Sequence, residues 1–241
     1  MIVTTFSPEG YELYGKRFIE TYKKHCKEEL VVYVEDDLEI EGVEVRNLYR
    51  VPGCIAFLNR VRDYKPDHYR RDVNKFSRKV FAITDAMSHK GKVVFIGADT
   101  IFHKDIPEGF FDSLLDDVYL AYLGRKTTHS ETDFLAFDTT HSISEQFRFM
   151  FINTYITGAF QHLKYFCDSD VFDFVREFLC VPENNLNIIN DRKHPFVNSI
   201  LGEYMLHLKG PERKLAGKCF DDDFITRTED NEKIRGKVQG N

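Results

Sequence analysis

Two short stretches of this chain are apolar residue after residue, LVVYV at 30–34 and VVFI at 93–96. A strand with one wet face alternates apolar and polar side chains. A strand without alternation is buried on both faces, and that requires helices on both sides of a sheet. The intervening segments offer such helices. After the β-branched run from Ile2 to Phe6 comes SPEGYELYGKRFIETYKKH. There Ser7 can cap, Pro8 can start, and Tyr11, Tyr14, Phe18, Ile19 and Tyr22 recur at helical spacing. Val43 to Leu48 reads as another strand after the Gly42 turn, and Val73 to Met87 as a helix.

Strand, helix, strand, helix, strand predicts an α/β fold with a mostly parallel central sheet flanked by helices. Downstream, the pattern predicts a short helix from Phe110 to Leu114 and strands from Val118 to Leu123 and Asp133 to Phe137. Further helices are predicted from Ser144 to Tyr155 and Asp170 to Leu179. No repeat or linker interrupts the 241 residues, so one domain over 1–219 is expected, followed by a polar tail over 220–241 that frays.

Several classes drop out. No apolar run approaches the roughly 20 residues that span a bilayer. No basic region precedes the first strand, so no transmembrane segment or signal peptide is expected, and the location is read as cytoplasmic. Five cysteines, scattered and without a CxxC pair, read as reduced thiols rather than a zinc site. A formal net charge of −6 argues against a protein that coats nucleic acid. The charge is uneven, however: Tyr64 to Lys79 is strongly basic.

In parallel sheets, ligands sit beyond the carboxyl ends of the strands. Asp99 follows VVFI in a Gly97-Ala98-Asp99 turn and so points into that crevice. A lone carboxylate there suits Mg²⁺ or Mn²⁺, which take hard oxygen ligands and share them with phosphates. Far downstream, HLKGPERK (207–214) offers an imidazole, a glycine, and Lys209, Arg213 and Lys214. Such a set can hold a metal and a diphosphate together. Plainer readings are a turn-capping Asp99, a helix-terminal His207 and a basic surface turn.

An ordered series of segments over roughly residues 1–215 resembles the nucleotide-sugar glycosyltransferases of the GT-A (Rossmann-like) fold. It looks closest to the family 8-like group and its small phage and bacterial relatives. MIVTTFSPEGYELYGKRFIETY is similar to the strand and helix that cradle the nucleoside, and NKFSRKVFAI to the helix leading to the metal strand. VVFIGADTIFHKDIP is similar to the strand carrying the DxD motif, and HSETDFLAFD to the strand lining the acceptor side. YITGAFQHLKYFCDSDVFDFVR resembles the segment with the "DS" pair, and HPFVNSILGEYMLHLKGPERK the closing "HxKG…K" segment.

The resemblance implies a metal-dependent hexosyltransferase that moves a sugar from a nucleoside diphosphate, UDP being the family's usual carrier, to an acceptor hydroxyl. Mn²⁺ or Mg²⁺ would be held by Asp99 and His207. Lys214 and Lys209, with Gly210 between, would serve the diphosphate. Thr4, Thr5 and Phe6 would line the nucleoside pocket. Arg78 or Lys79 would reach the sugar or β-phosphate, and Asp168 and Glu131 would face the sugar and acceptor. Family 8 relatives retain the anomeric configuration. The acceptor is either a saccharide or a hydroxymethylated pyrimidine in phage DNA, the latter placing the protein in a host cytoplasm. The oligomeric state is not readable.

Two departures from the family pattern matter. Gly97 stands where the first DxD aspartate is expected, and Cys167 stands where relatives often carry His. Without the first aspartate, the metal is held by Asp99, His207 and phosphates alone, or another carboxylate such as Asp105 substitutes, or the protein is a degenerate sugar-nucleotide binder. The first is favoured, and the binder is the alternative function. A nucleotidyltransferase is disfavoured because MIVTTFSPEGYE lacks a Gly-rich phosphate loop.

Overall fold

The computed structural model describes residues 1–189 and 194–225. Its centre is a seven-stranded sheet. The strands are β1 (Ile2–Phe6), β2 (Leu30–Val34), β3 (Glu44–Asn47), β4 (Lys92–Ile96), β6 (Leu120–Leu123), β7 (Glu131–Asp138) and β8 (Glu183–Asn185), in the order β3-β2-β1-β4-β7-β6-β8. Only β7 runs against the rest. The expected mostly parallel α/β sheet is therefore present. A second, two-stranded ribbon pairs β5 (Thr100–Phe102) with β9 (Met205–His207) in antiparallel fashion.

Strand alternation divides the core in two. Val93 and Phe95 face one side of β4, and Val94 and Ile96 the other. The first face meets α2 (Cys54–Arg60), α3 (Val73–Ala86), α5 (Ser144–Ile156) and α6 (Asp168–Leu179) through an aromatic cluster of Phe81, Phe147, Phe151, Tyr155 and Phe172. The second meets α1 (Lys16–His25) through Phe18, Ile19 and Tyr22, and α4 (Phe110–Ser113) through Phe110 and Phe111. β2 and β4 are buried on both faces, as the missing alternation predicts.

The helix before α1 begins as expected. Ser7 accepts a hydrogen bond from the Gly10 N–H, and Pro8 occupies the first turn. A π-helical turn, Tyr11–Gly15, continues it into α1. α6 begins at Asp168 rather than Asp170, which places the Asp168 carboxylate at a helix N-terminus. Among the described residues α7 (Pro211–Ala216) is the last α-helix, followed by a short 3₁₀ turn, Asp221–Asp223. Asp223 packs against Arg213, so the segment expected as tail is anchored at its start; residues 226–241 lie outside the described residues. All five cysteines are free thiols. Among the described residues no helix is long and apolar enough to cross a membrane.

Candidate functional site

A cleft of about 560 Å³ opens at the carboxyl ends of β1 and β4. Its wall includes Thr5, Phe6, Arg78, Lys79, Gly97, Asp99, Glu131, Asp133, Asp168, Lys209 and Lys214. Residues scattered over the whole chain meet here because four elements end at one place. β1 and β4 end side by side in the sheet. β7 runs back alongside β4, so Asp133 lies opposite Gly97 and accepts a hydrogen bond from its N–H at 2.9 Å. The β5–β9 ribbon sets Thr100 against His207, and the Leu208 N–H bonds the Asp99 carbonyl at 2.8 Å.

Behind the cleft wall, of which it is not itself a part, the buried His207 places its Nε2 3.2 Å from Asp99 Oδ1 and 3.4 Å from Asp133 Oδ2. Ligand atoms of Asp99, Asp133 and His207 all fall within 4.8 Å of one another. Two cations balance the carboxylates: Lys214 Nζ is 2.7 Å from Asp99 Oδ2, and Lys79 Nζ is 2.9 Å from Asp133 Oδ1. Burial alone would drive the imidazole neutral. The facing Asp99 and Asp133 carboxylates outweigh it and raise His207 to about 9. Burial likewise opposes ionisation of the two carboxyls, yet His207, Lys79 and Lys214 hold Asp99 below the usual carboxylate range and Asp133 well below it.

Two carboxylates and one imidazole form a hard donor set with room for phosphate oxygens, which fits Mg²⁺ or Mn²⁺. A buried histidine aimed between two carboxylates is the observation that supports this fit. A second set of possible ligands, Glu131, His194 and His207, adjoins it. Its carboxylate is already occupied, since Glu131 Oε2 accepts from both Arg125 and Lys209. His194 packs its ring 5.0 Å from His207, and burial lowers it to about 3.

One wall is a buried relay. Lys79 Nζ contacts Asp168 Oδ2 at 2.8 Å as well as Asp133, and Thr132 donates to the same Asp168 oxygen. Burial opposes the Lys79 charge, but these two carboxylates raise its pKa. The opposite wall is aromatic. Phe6 and Tyr14 line it, with Lys214 4.8 Å above the Tyr14 ring. Arg78 Nε sits 3.0 Å from Glu35 Oε2.

Most residues singled out in the sequence thus surround one cleft. Thr4 lies two residues deeper in β1 than Phe6, fully buried, with its hydroxyl unpartnered. Gly210, at φ +86°, turns the chain from β9 into α7 and so delivers Lys214; the cleft wall does not include it. Cys167 lines the cleft beside Asp168, its thiol pushed up to about 12 by burial. Asp105 lies elsewhere, exposed and 2.7 Å from His25. The sequence reading does not single out Asp133, Tyr14 or Glu35: Glu35 follows the doubly buried β2 directly, the same signal that marks Asp99, whereas only the three-dimensional pairing brings Asp133 and Tyr14 to the cleft.

The basic stretch is largely self-neutralised: Arg70 pairs with Asp170, Arg71 with Asp67, Arg78 with Glu35, and Lys79 with Asp133 and Asp168. Another cleft, of about 600 Å³, is lined by Arg60, Tyr64, Phe160, Gln161 and Phe166 among others, with no carboxylate on its wall. The clustered carboxylates and lysines belong to the first cleft.

No protein-family model and no curated protein matches the chain. Among solved structures, apo mouse xyloside xylosyltransferase 1 is similar over 77% of this chain and 84% of that one, with a TM-score of 0.49 and 9% identity. The apo WbbM bifunctional glycosyltransferase is similar over 87% of this chain, with a TM-score of 0.48 and 15% identity. This chain spans 45% of that protein's length.

Proposed function

We propose that the protein is a metal-dependent glycosyltransferase that moves a sugar from a nucleoside diphosphate to an acceptor hydroxyl. The observation that carries this reading is the convergence of Asp99, Asp133 and His207 with Lys214, 2.7 Å from Asp99, beside an aromatic wall at the sheet's carboxyl edge. Diphosphate, cation and base each have a matching surface in one cleft.

In this reading Asp99 and His207, together with the donor's phosphates, would hold Mn²⁺ or Mg²⁺, which when bound would supply Lewis acidity to the departing diphosphate. Lys214 and Lys209 offer positive charge to the same oxygens. Such pre-placed charges usually supply the largest part of rate enhancement. Phe6, Tyr14 and Thr5 flank the nucleoside, and UDP is proposed as the carrier. The C1–oxygen bond to the diphosphate breaks and a C1–oxygen bond to the acceptor forms. For the configuration to be retained the exchange takes two displacements: a carboxylate, for which Asp168 and Glu131 are proposed, bonds to C1 as the diphosphate leaves, and the acceptor oxygen then displaces that carboxylate while its proton passes to the released diphosphate. Lys79 fixes Asp168 at the cleft floor. Retention is proposed, and NMR of the product anomer checks it: an inverted linkage removes the chain from the family 8-like group.

The donor is tested by thermal shift with UDP, GDP and CDP, each with and without Mn²⁺. A ligand at 100 times its dissociation constant adds about 2.7 kcal/mol, which for a chain of this size raises Tm by about 5–10 °C. One nucleoside diphosphate should stabilise only with metal. Stabilisation by none of them contradicts the reading. The DNA acceptor is tested by binding to hydroxymethylated duplex at low salt, where no mobility shift eliminates it.

A further inference from the structure

The chain lacks a carboxylate at Gly97, yet the space that such a side chain needs is filled. A Cβ built on Gly97 would lie 2.9 Å from Asp133 Cβ and 2.9 Å from its Oδ1, closer than real Cβ atoms approach their neighbours. The backbone does not call for glycine here: Gly97 is not among the residues of positive φ. What excludes a side chain at Gly97 is Asp133 itself.

Resting on the sugar-nucleotide reading of this cleft, we propose that the carboxylate has been relocated across the sheet. Asp133, directly opposite Gly97 on the antiparallel strand β7, takes the metal-ligand position that a carboxylate at Gly97 would occupy. The cation site is then Asp99, Asp133 and His207, one residue from each of three segments.

Three observations support the relocation. The backbone hydrogen bond from Gly97 N–H to the Asp133 carbonyl, at 2.9 Å, fixes the two residues as cross-strand neighbours, and a Cβ on Gly97 would lie 2.9 Å from that of Asp133, on the same side of the sheet. The Asp133 carboxylate faces the same His207 Nε2 as Asp99, with separations of 3.4 and 3.2 Å. Alternation in β7 sends Phe134 and Ala136 into one core, while Asp133 follows Leu135 and Phe137 toward the α3 side, where Lys79 waits. Asp105, the carboxylate nearest in sequence, is engaged with His25 and is not on the cleft wall.

Relocation makes a compensation test available. Free Mn²⁺ is measured by its EPR signal in the presence of UDP, with circular dichroism as the folding control. Asp133→Asn keeps the side-chain shape and should weaken Mn²⁺ uptake by at least about tenfold, since even indirect supporters of metal sites cost that much. Gly97→Asp alone should lower Tm, because its side chain collides with Asp133. The double variant Gly97→Asp with Asp133→Ala should recover both Tm and Mn²⁺ uptake, reaching within about threefold of the wild type, well inside the single-variant loss. A purely structural Asp133 would not be rescued by a carboxylate on another strand.

Wild-type-like uptake in Asp133→Asn, with uptake lost in Asp99→Ala, overturns the relocation and leaves the cleft's function intact. A folded double variant no better than Asp133→Asn overturns it as well. Absence of Mn²⁺ uptake by the wild type with UDP, GDP and CDP alike overturns both the relocation and the reading on which it rests.

Discussion

Two buried regions of the molecule are built on opposite terms. Beneath β6 and β7, Phe147 meets Phe137, Phe151, Phe172 and Tyr119 at ring separations of 5.5 to 6.1 Å, with no charge among them. At the carboxyl edge, Lys214, Asp99, His207, Asp133, Lys79 and Asp168 are linked in one chain of ion pairs. The first region stabilises by removing apolar surface from water. The second has desolvated charges whose pairing roughly offsets the cost of burying them. In the proposed function it is this cluster that meets the metal and the diphosphate.

The comparison breaks most sharply if the regions are emptied in turn. Phe147→Ala should cost about 3–5 kcal/mol of unfolding free energy, measured by chemical denaturation. Asp99→Ala takes a partner from both His207 and Lys214 and should cost about 1–3 kcal/mol, and it should abolish the metal-dependent nucleotide stabilisation of about 2.7 kcal/mol. Loss of the fold in that variant would place Asp99 among the structural residues. Lys79→Ala leaves Asp133 and Asp168 without their shared cation, and should cost about 1–3 kcal/mol. Its neutral isostere Lys79→Met should cost about as much if charge, rather than packing over the Phe95 ring, is what Lys79 provides.

The smallest expected effect is on pH dependence. His207 is raised from 6.5 to about 9, so its contribution to the metal-free protein is complete below about 6.5 and is lost as the pH rises to about 9. The loss is partial because Asp99 and Asp133 retain Lys214 and Lys79 as partners. Thermal melts across this window should fall with rising pH, and should flatten in His207→Gln. A flat wild-type profile would mean that the imidazole is neutral throughout.

Which parts of this site were legible in the sequence follows from the range of the information each part needs. Asp99 needed only the rule that a doubly buried strand ends at the ligand crevice. His207 and Lys214 were legible because imidazole, glycine and lysine fall within eight residues, 207–214. The ribbon that brings His207 to Asp99 was not, because strands of three residues, Thr100–Phe102 and Met205–His207, carry no periodicity to detect. Asp133 was invisible for a different reason. Its role depends on the register between β4 and β7, and no local pattern states which residue of one strand lies opposite Gly97 of the other. Read along the chain, Gly97 is a missing carboxylate; read across the sheet, it is room for one. The α6 boundary shows the same limit on a smaller scale: the helical periodicity is clear from Asp170, but the N-terminus at Asp168 is set by packing beside Thr132 and Lys79.

The measurement that most directly tests whether the charged region is a transfer site is sugar release from nucleoside diphosphate hexoses by the purified protein. Glycosyltransferases leak sugar to water, so the account predicts slow hydrolysis that requires Mn²⁺ or Mg²⁺ and disappears in Asp99→Ala. Tight, metal-dependent nucleotide binding with no release of sugar would contradict it, and would leave a sugar-nucleotide binder in place of an enzyme.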